Sequence, residues 1–126
     1  MRRSATPSYP GSRSPRVWWW TVGTGAALVL LALVHIVAHH FIVDEPGGLR
    51  TYDQILDYIA NPVILALEAV FLVTVTIHAM LGLRGVLLDL DPSPRARLWL
   101  DRALWGLGSV TATYGLFLLI MLASRA

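Results

Sequence analysis

The sequence predicts an all-α integral membrane protein with three transmembrane helices. Of its 126 residues, 56% are hydrophobic and only 14% are charged, and the mean hydropathy is +0.60. A soluble domain of this size needs more polar surface than that composition offers. Three apolar stretches, each long enough to cross the bilayer core, alternate with polar segments rich in proline, glycine or charge.

The first predicted span covers residues 17–43 and follows a polar tail at residues 1–16. The tail is rich in serine, proline and arginine and has no hydrophobic period, so we expect it to be disordered or to lie on the surface. Three consecutive tryptophans at 18–20 suit the interfacial aromatic belt of a membrane helix. A signal peptide is the competing interpretation, but no small-residue cleavage site follows the apolar run, so we expect a helix.

The second predicted span covers residues 62–88. Pro62 stands at its first helical position, where the missing backbone donor costs nothing. The connection before it, residues 44–61, contains Pro46-Gly47-Gly48 and several charged side chains. We expect a loop there that includes a short interfacial helix.

The third predicted span covers residues 99–123. A tight turn at Asp91-Pro92-Ser93-Pro94 comes before it, because closely spaced prolines end one helix and prevent its continuation. Residues 17–126 are therefore predicted to form a single three-helix transmembrane domain.

The arginines predict the orientation of the chain. Four precede the first span and four flank the second connection, whereas the first connection has one arginine against four acidic residues. By the positive-inside rule the N-terminus lies in the cytoplasm and the C-terminus outside. The predicted location is the inner membrane of a bacterial cell.

The composition also excludes several function classes. The chain has no cysteine, so it supplies no ligands for thiolate metal sites, iron–sulfur clusters or covalently attached haem. A formal net charge of +2 by itself says little about nucleic acid, and we expect no such partner. A metal held by this chain therefore needs histidine or carboxylate ligands, or belongs to a cofactor.

The most informative motif is the run His78-Ala-Met-Leu-Gly-Leu-Arg-Gly-Val-Leu-Leu-Asp89, near the end of the second span. An ionisable residue at membrane depth is costly, which favours a functional interpretation of His78. Gly82 lies one turn away on the same helix face, where a missing side chain admits a flat macrocycle or another helix. The alternative is that His78 only packs helices through a hydrogen bond to a neighbouring backbone.

This run resembles the second transmembrane helix of the small membrane-anchor subunits of succinate:quinone oxidoreductase, respiratory complex II. Those anchors carry His-x-x-x-Gly and an acidic residue eleven positions after the histidine, as this chain does. The resemblance implies a D-type anchor in which His78 is an axial ligand of haem b. It also implies a quinone as substrate and, as partners, a flavoprotein subunit, an iron–sulfur subunit and a second anchor.

A second candidate ligand, His35, matches the first-helix histidine of the resembling anchors. In antiparallel helices His35 and His78 fall in opposite leaflets, separated along the membrane normal by roughly 14 Å at 1.5 Å rise per residue. That distance is too long for one metal ion and suits two stacked haem groups. Since two helices cannot readily encircle two haems, we expect a four-helix bundle shared with the second anchor, with the third helix of each chain outside it.

Three further residues are candidates at the depth of His35 or just beyond it. His39 shares a helix face with His35 and is its substitute as a ligand, whereas His40 is turned about 100° away. His39 and His40 either bind haem propionates or meet water. Glu68 either orients His35 or passes protons; the alternative is a protonated acid bonded to a helix backbone.

His35, His39 and His40 also fit the HxxxHH box of membrane di-iron desaturases. Such enzymes need about eight or more imidazoles to hold two metal ions. Four histidines are present here, so this interpretation fails.

By resemblance, the quinone site lies at the inner boundary, near Arg84 and Asp89. Both are candidates to support quinone, a haem propionate or the iron–sulfur subunit, and the alternative for Arg84 is an ordinary positive-inside anchor. Two positions depart from the family pattern: Leu90 stands where many relatives have a quinone-bonding tyrosine, and Val22-Gly23-Thr24-Gly25 stands where several have Arg-x-Ser-Gly.

We interpret the chain as a haem b-binding anchor of a succinate dehydrogenase. It has no dinucleotide fingerprint and no cysteine cluster, so it cannot oxidise succinate by itself. The rival interpretations are an anchor of a fumarate reductase, another di-haem quinol cytochrome, and a non-redox membrane scaffold.

Overall fold

The computed structural model describes residues 15–41 and 51–125, and describes side chains for 15–39 and 51–125. Four α-helices occupy these ranges: α1 (Pro15–Phe41), α2 (Tyr52–Ala60), α3 (Pro62–Leu88) and α4 (Pro94–Ala123).

Several sequence predictions fall wholly or partly outside the described residues. Of the predicted polar tail only the last two residues are described, and they begin α1. The end of the first span at Val43, the Pro46-Gly47-Gly48 loop and the side chain of His40 lie outside the described part.

The predicted all-α fold with three spans is confirmed. By length and composition, α1, α3 and α4 are each able to cross a membrane. Both α1 and α3 have 27 residues, which corresponds to about 40 Å of helix at 1.5 Å per residue, enough for a tilted span. The described residues contain no β-strand.

The connection between α1 and α3 contains the short helix that the sequence predicts there. Thr51 caps α2 in a capping box with Gln54, so two backbone donors at its start are satisfied. Leu56 and Ile59 are buried along one side of this amphipathic helix. Asn61 then ends α2 and caps α3 by accepting hydrogen bonds from the next turn.

The last long helix starts earlier than the predicted span. Ser93 accepts a hydrogen bond from the backbone of Ala96, and Pro94 takes the first helical position. Asp91 reverses the chain just before this cap with a φ of 49°. Hydropathy placed the start at residue 99 because the first turn is polar, but the capping residues determine where the helix begins.

The three long helices lie side by side with α3 in the middle. It packs against α1 and against α4, which do not pack against each other within the described residues, while α2 packs against α3 and α4. Helices α3 and α4 approach closely at Gly115, where an added Cβ would lie 2.6 Å from Leu72. Small residues at such contacts are typical of membrane helix packing.

We call the end where α1 and α4 begin and α3 ends the proximal end. The opposite end, where α3 begins, is the distal end. Large apolar side chains are exposed along every long helix, among them Val29, Val70 and Val110. A single chain in a bilayer presents such a surface to lipid or to other membrane subunits.

Candidate functional site

His78 on α3 faces α1 and is held there by a hydroxyl group. Its Nδ1 lies 3.0 Å from Oγ1 of Thr24. The Thr24 hydroxyl donates its single proton to the carbonyl of Trp20 at 2.7 Å. It therefore accepts from His78, which assigns the ring proton to Nδ1. Nε2 of His78 makes no hydrogen bond in the described part of the chain, so its lone pair remains available.

Gly25 allows the imidazole to lie directly against α1. A Cβ added at Gly25 would be 3.2 Å from Cε1 of His78, so a side chain there would push the ring away. Thr24 itself is buried. One turn along α3, a Cβ added at Gly82 would meet nothing within 4 Å, so the space beside His78 is open in the described structure.

Glu68 forms the second cluster, nearer the distal end. Its Oε1 lies 3.0 Å from Nδ1 of His35 and 3.1 Å from Nε2 of His39. The Glu68 side chain is only 12% exposed. When Oε1 accepts from both imidazoles, the protons lie on Nδ1 of His35 and on Nε2 of His39. Nε2 of His35 has no hydrogen bond within the described residues.

Ring contacts fix the orientation of this cluster. His35 is stacked on Phe71, with ring centroids 5.0 Å apart, and is tilted against His39 at 4.3 Å. His39 in turn contacts the ring of Tyr58 on α2 at 4.7 Å. Three helices therefore hold the two imidazoles.

The two clusters lie at different levels of the α1–α3 pair. Ten residues separate Gly25 from His35 on α1, and ten separate Glu68 from His78 on α3. At the helical rise this is about 15 Å, close to the separation that the sequence predicts for two stacked groups.

Arg84 forms an ion pair with a residue of α4. Its Nε lies 2.7 Å from Oδ1 of Asp101 and its Nη2 lies 3.3 Å from Oδ2. Asp89, the other candidate at the inner boundary, is the C-cap residue of α3 and is exposed.

An apolar cavity of about 420 Å³ lies between α3 and α4 beside this ion pair. Arg84 and Asp101 form its polar border, and the rest of its lining is mostly apolar, including Met80 and Trp105. Trp105 is 79% exposed, so the cavity opens on the outer surface of the helix pair. Its size and apolar lining are typical of small-molecule sites.

Sequence reasoning missed Thr24, Gly25 and Asp101 as site residues. Thr24 and Gly25 belong to the segment that departs from the family's Arg-x-Ser-Gly, but threonine retains the hydroxyl of serine and the glycine is the same. A hydroxyl next to a glycine in an apolar helix was the available signal. Asp101 appeared only as one of the charges leading into the third span.

Comparisons with known proteins relate the chain to one family. Residues 14–123 match the family model of the succinate dehydrogenase/fumarate reductase transmembrane subunit. The chain is 34% identical over 106 residues to the succinate dehydrogenase hydrophobic membrane anchor subunit of Archaeoglobus fulgidus, with 83% of this chain and 87% of that protein covered.

Proposed function

Because the chain belongs to the succinate dehydrogenase/fumarate reductase transmembrane subunits, we propose that it anchors a flavoprotein and an iron–sulfur protein to the membrane, ligates haem b and helps form the quinone site. It is a multi-pass membrane protein. Its role in the complex is non-catalytic toward succinate, since that chemistry needs a flavin and iron–sulfur clusters for which it has no motif.

One observation carries the proposed haem ligation. Two imidazoles on neighbouring helices, His35 and His78, each have Nδ1 held by a group from the facing helix and Nε2 unbonded within the described residues. An axial histidine needs this state, with one nitrogen orienting the ring and the other neutral nitrogen directed at iron. When bound, haem b supplies a one-electron carrier.

The same geometry favours His35 over His39 as the ligand in the first helix. His39 uses Nε2 for its bond to Glu68, whereas His35 uses Nδ1. Glu68 thereby orients His35, and His39 shares the carboxylate. In this proposal His39 and His40 lie where haem propionates approach the distal boundary.

Each haem needs a second imidazole that this chain does not provide. His78 has no other histidine at its level, because the remaining three lie between positions 35 and 40. We infer that a second anchor contributes one histidine to each of two haems. Helices α1 and α3 then complete a four-helix bundle with two helices of that subunit, and α4 lies outside it.

The cavity beside Arg84 supports a contribution to quinone binding at the proximal end. Its apolar lining suits an isoprenoid tail, and the Arg84 guanidinium is a donor for a quinone carbonyl. Asp101 holds the guanidinium in place. Asp89, exposed at the end of α3, is in this proposal a contact for the iron–sulfur subunit.

A dithionite-reduced minus oxidised spectrum with pyridine haemochrome quantification tests the haem proposal. We expect about two b haems per purified complex. His78→Ala and His35→Ala should each remove one b-type signal, while flavin-dependent succinate oxidation with artificial acceptors persists. The matched variant His39→Ala should retain both signals.

Other results would overturn parts of this proposal. If H78A leaves the spectrum unchanged, His78 is not a ligand. Loss of a signal in H39A but not in H35A would make His39, and not His35, the haem ligand of the first helix. Absence of haem and of copurifying soluble subunits would favour a non-redox membrane scaffold, and copurification of other soluble proteins would indicate a different quinol-linked cytochrome.

The family model covers fumarate reductases as well as succinate dehydrogenases. We propose the succinate-oxidising direction because the curated relative is a succinate dehydrogenase anchor. Rates of succinate–quinone and quinol–fumarate turnover by the same purified complex decide between the two. A faster fumarate reaction under matched conditions would reverse the assignment.

A further inference from the structure

The distal cluster of His35, His39 and Glu68 has the composition of a divalent metal site. Two histidines four residues apart on one helix present their imidazoles on the same face. A glutamate from a facing helix completes the His₂Glu set, which holds Zn²⁺ in sites that keep a fourth position open for water. We propose that this cluster binds Zn²⁺, and that the bound ion prevents His35 from ligating haem iron.

The distances are close to those that the ion requires. One donor atom from each of the three residues lies within 4.8 Å of the others, and both imidazole nitrogens are already 3.0–3.1 Å from Oε1 of Glu68. Around a tetrahedral Zn²⁺ with bonds of about 2.1 Å, ligand atoms are separated by about 3.4 Å. Small rotations of the side chains therefore suffice to admit the ion.

Burial and charge at the cluster also suit a cation. Glu68 is 12% exposed, whereas His35 and His39 are 31% and 41% exposed in their side chains. His39 lies two residues before the end of α1, at the distal boundary. The Glu68 carboxylate neutralises one of the two positive charges of Zn²⁺. The two neutral imidazoles supply nitrogen ligands, which are softer than carboxylate oxygens.

Binding of the ion and ligation of haem require different tautomers of His35. A neutral imidazole carries one ring proton. With that proton on Nδ1, directed at Glu68, the lone pair that can bind iron is on Nε2. Zn²⁺ takes the lone pair of Nδ1, so the proton moves to Nε2, which then cannot bind iron. This competition, unlike the metal binding, rests on the proposed haem ligation by His35.

Zinc binding to the purified, chelator-washed complex tests the proposal directly. Equilibrium dialysis against buffered Zn²⁺, with metal determined by mass spectrometry, should give one more ion per chain in the wild type than in His39→Ala or Glu68→Gln. We expect the affinity at this site to fall by about 100-fold or more, since loss of an outer-sphere partner alone typically costs 10–100-fold. The matched control Asp57→Asn removes an exposed carboxylate on α2 and should bind as the wild type does.

The haem spectrum of the same samples provides a second readout. Added Zn²⁺ should diminish the b-type signal that H35A removes and leave the signal that H78A removes. In H39A, which lacks a zinc ligand but keeps His35, added Zn²⁺ should diminish neither b-type signal relative to the same variant without Zn²⁺.

Equal zinc binding by the wild type, H39A and E68Q would overturn the metal site. A D57N variant that loses as much bound zinc as H39A or E68Q would overturn it too. Bound zinc with an undiminished distal haem signal would overturn the competition. A complex that contains no haem refutes the proposed ligation by His35 but leaves the dialysis comparison decisive for the metal site.

Discussion

Thr24 determines which nitrogen of His78 is free. Its hydroxyl accepts from Nδ1 because its own proton is donated to the backbone of α1. A hydrogen-bonded Nδ1–H makes an imidazole more basic, which stabilises ferric iron at Nε2 and orients the ring.

We therefore expect Thr24→Val to raise the midpoint potential of the haem that we propose His78 ligates, and to weaken haem binding by about 10–100-fold. Thr24→Ser should leave the midpoint potential and the haem affinity as in the wild type, since serine keeps the hydroxyl. Thr21→Val is the matched control, because the Thr21 hydroxyl donates to Val17 within its own helix. A potential in T24V equal to that of the wild type would refute the role of this hydrogen bond.

The residues of the site were only partly predictable. The depths of His35, His78 and Glu68 follow from their positions within apolar runs, because the helical rise fixes depth. The partner of His78 does not follow, because it depends on how α1 is rotated about its axis relative to α3. Both helices are apolar on all sides, so no amphipathic stripe in the sequence specifies that rotation.

At the scale of elements, α3 and α4 are joined by the Arg84–Asp101 pair at one level and by close packing at Gly115 at another. Hydropathy predicts three long helices because only a helix satisfies its own backbone in lipid. It does not predict where α4 begins, since Ser93 and Pro94 set that position through capping. Local hydrogen bonding at the capping residues decides where this helix begins. The thickness of the bilayer sets how long its apolar part must be.

The Arg84–Asp101 pair should stabilise the contact between α3 and α4 measurably. Arg84→Ala and Asp101→Ala should each lower the Tm of the purified complex by at most about 2–4 °C, because a partly exposed pair contributes no more than about 1 kcal/mol. The double variant should lower it little further, because the first substitution already removes the interaction. Additive losses would show that the two side chains act independently.

The Arg97–Asp91 pair is the matched control for this test. It has the same 2.7 Å separation, but Asp91 is 92% exposed. Solvent screens such pairs, so Arg97→Ala should change Tm by less than either variant of the inner pair. An equal effect would attribute the loss in R84A to the removal of an arginine rather than to the pairing.

For the whole molecule, a row of three helices with α3 in the middle leaves one side of the α1–α3 pair for another subunit. Both histidine clusters lie on that pair, whereas the cavity lies between α3 and α4. A second anchor can therefore cover the histidines without closing the cavity. In the proposed complex, haem and quinone are then bound by different helix pairs.

The orientation predicted from the arginines puts the proximal end in the cytoplasm, and the proposed soluble subunits would then dock there. The arginines at this end outnumber those at the distal end among the described residues, with Arg16, Arg84, Arg95, Arg97 and Arg102 near it.

The chain has no native cysteine, so single cysteines introduced at exposed positions report their side of the membrane. Ala96→Cys, at the start of α4, should react with a membrane-impermeant maleimide only in inside-out vesicles. Asp57→Cys on α2 should react in intact spheroplasts, and the reverse pattern would invert the assignment of both ends.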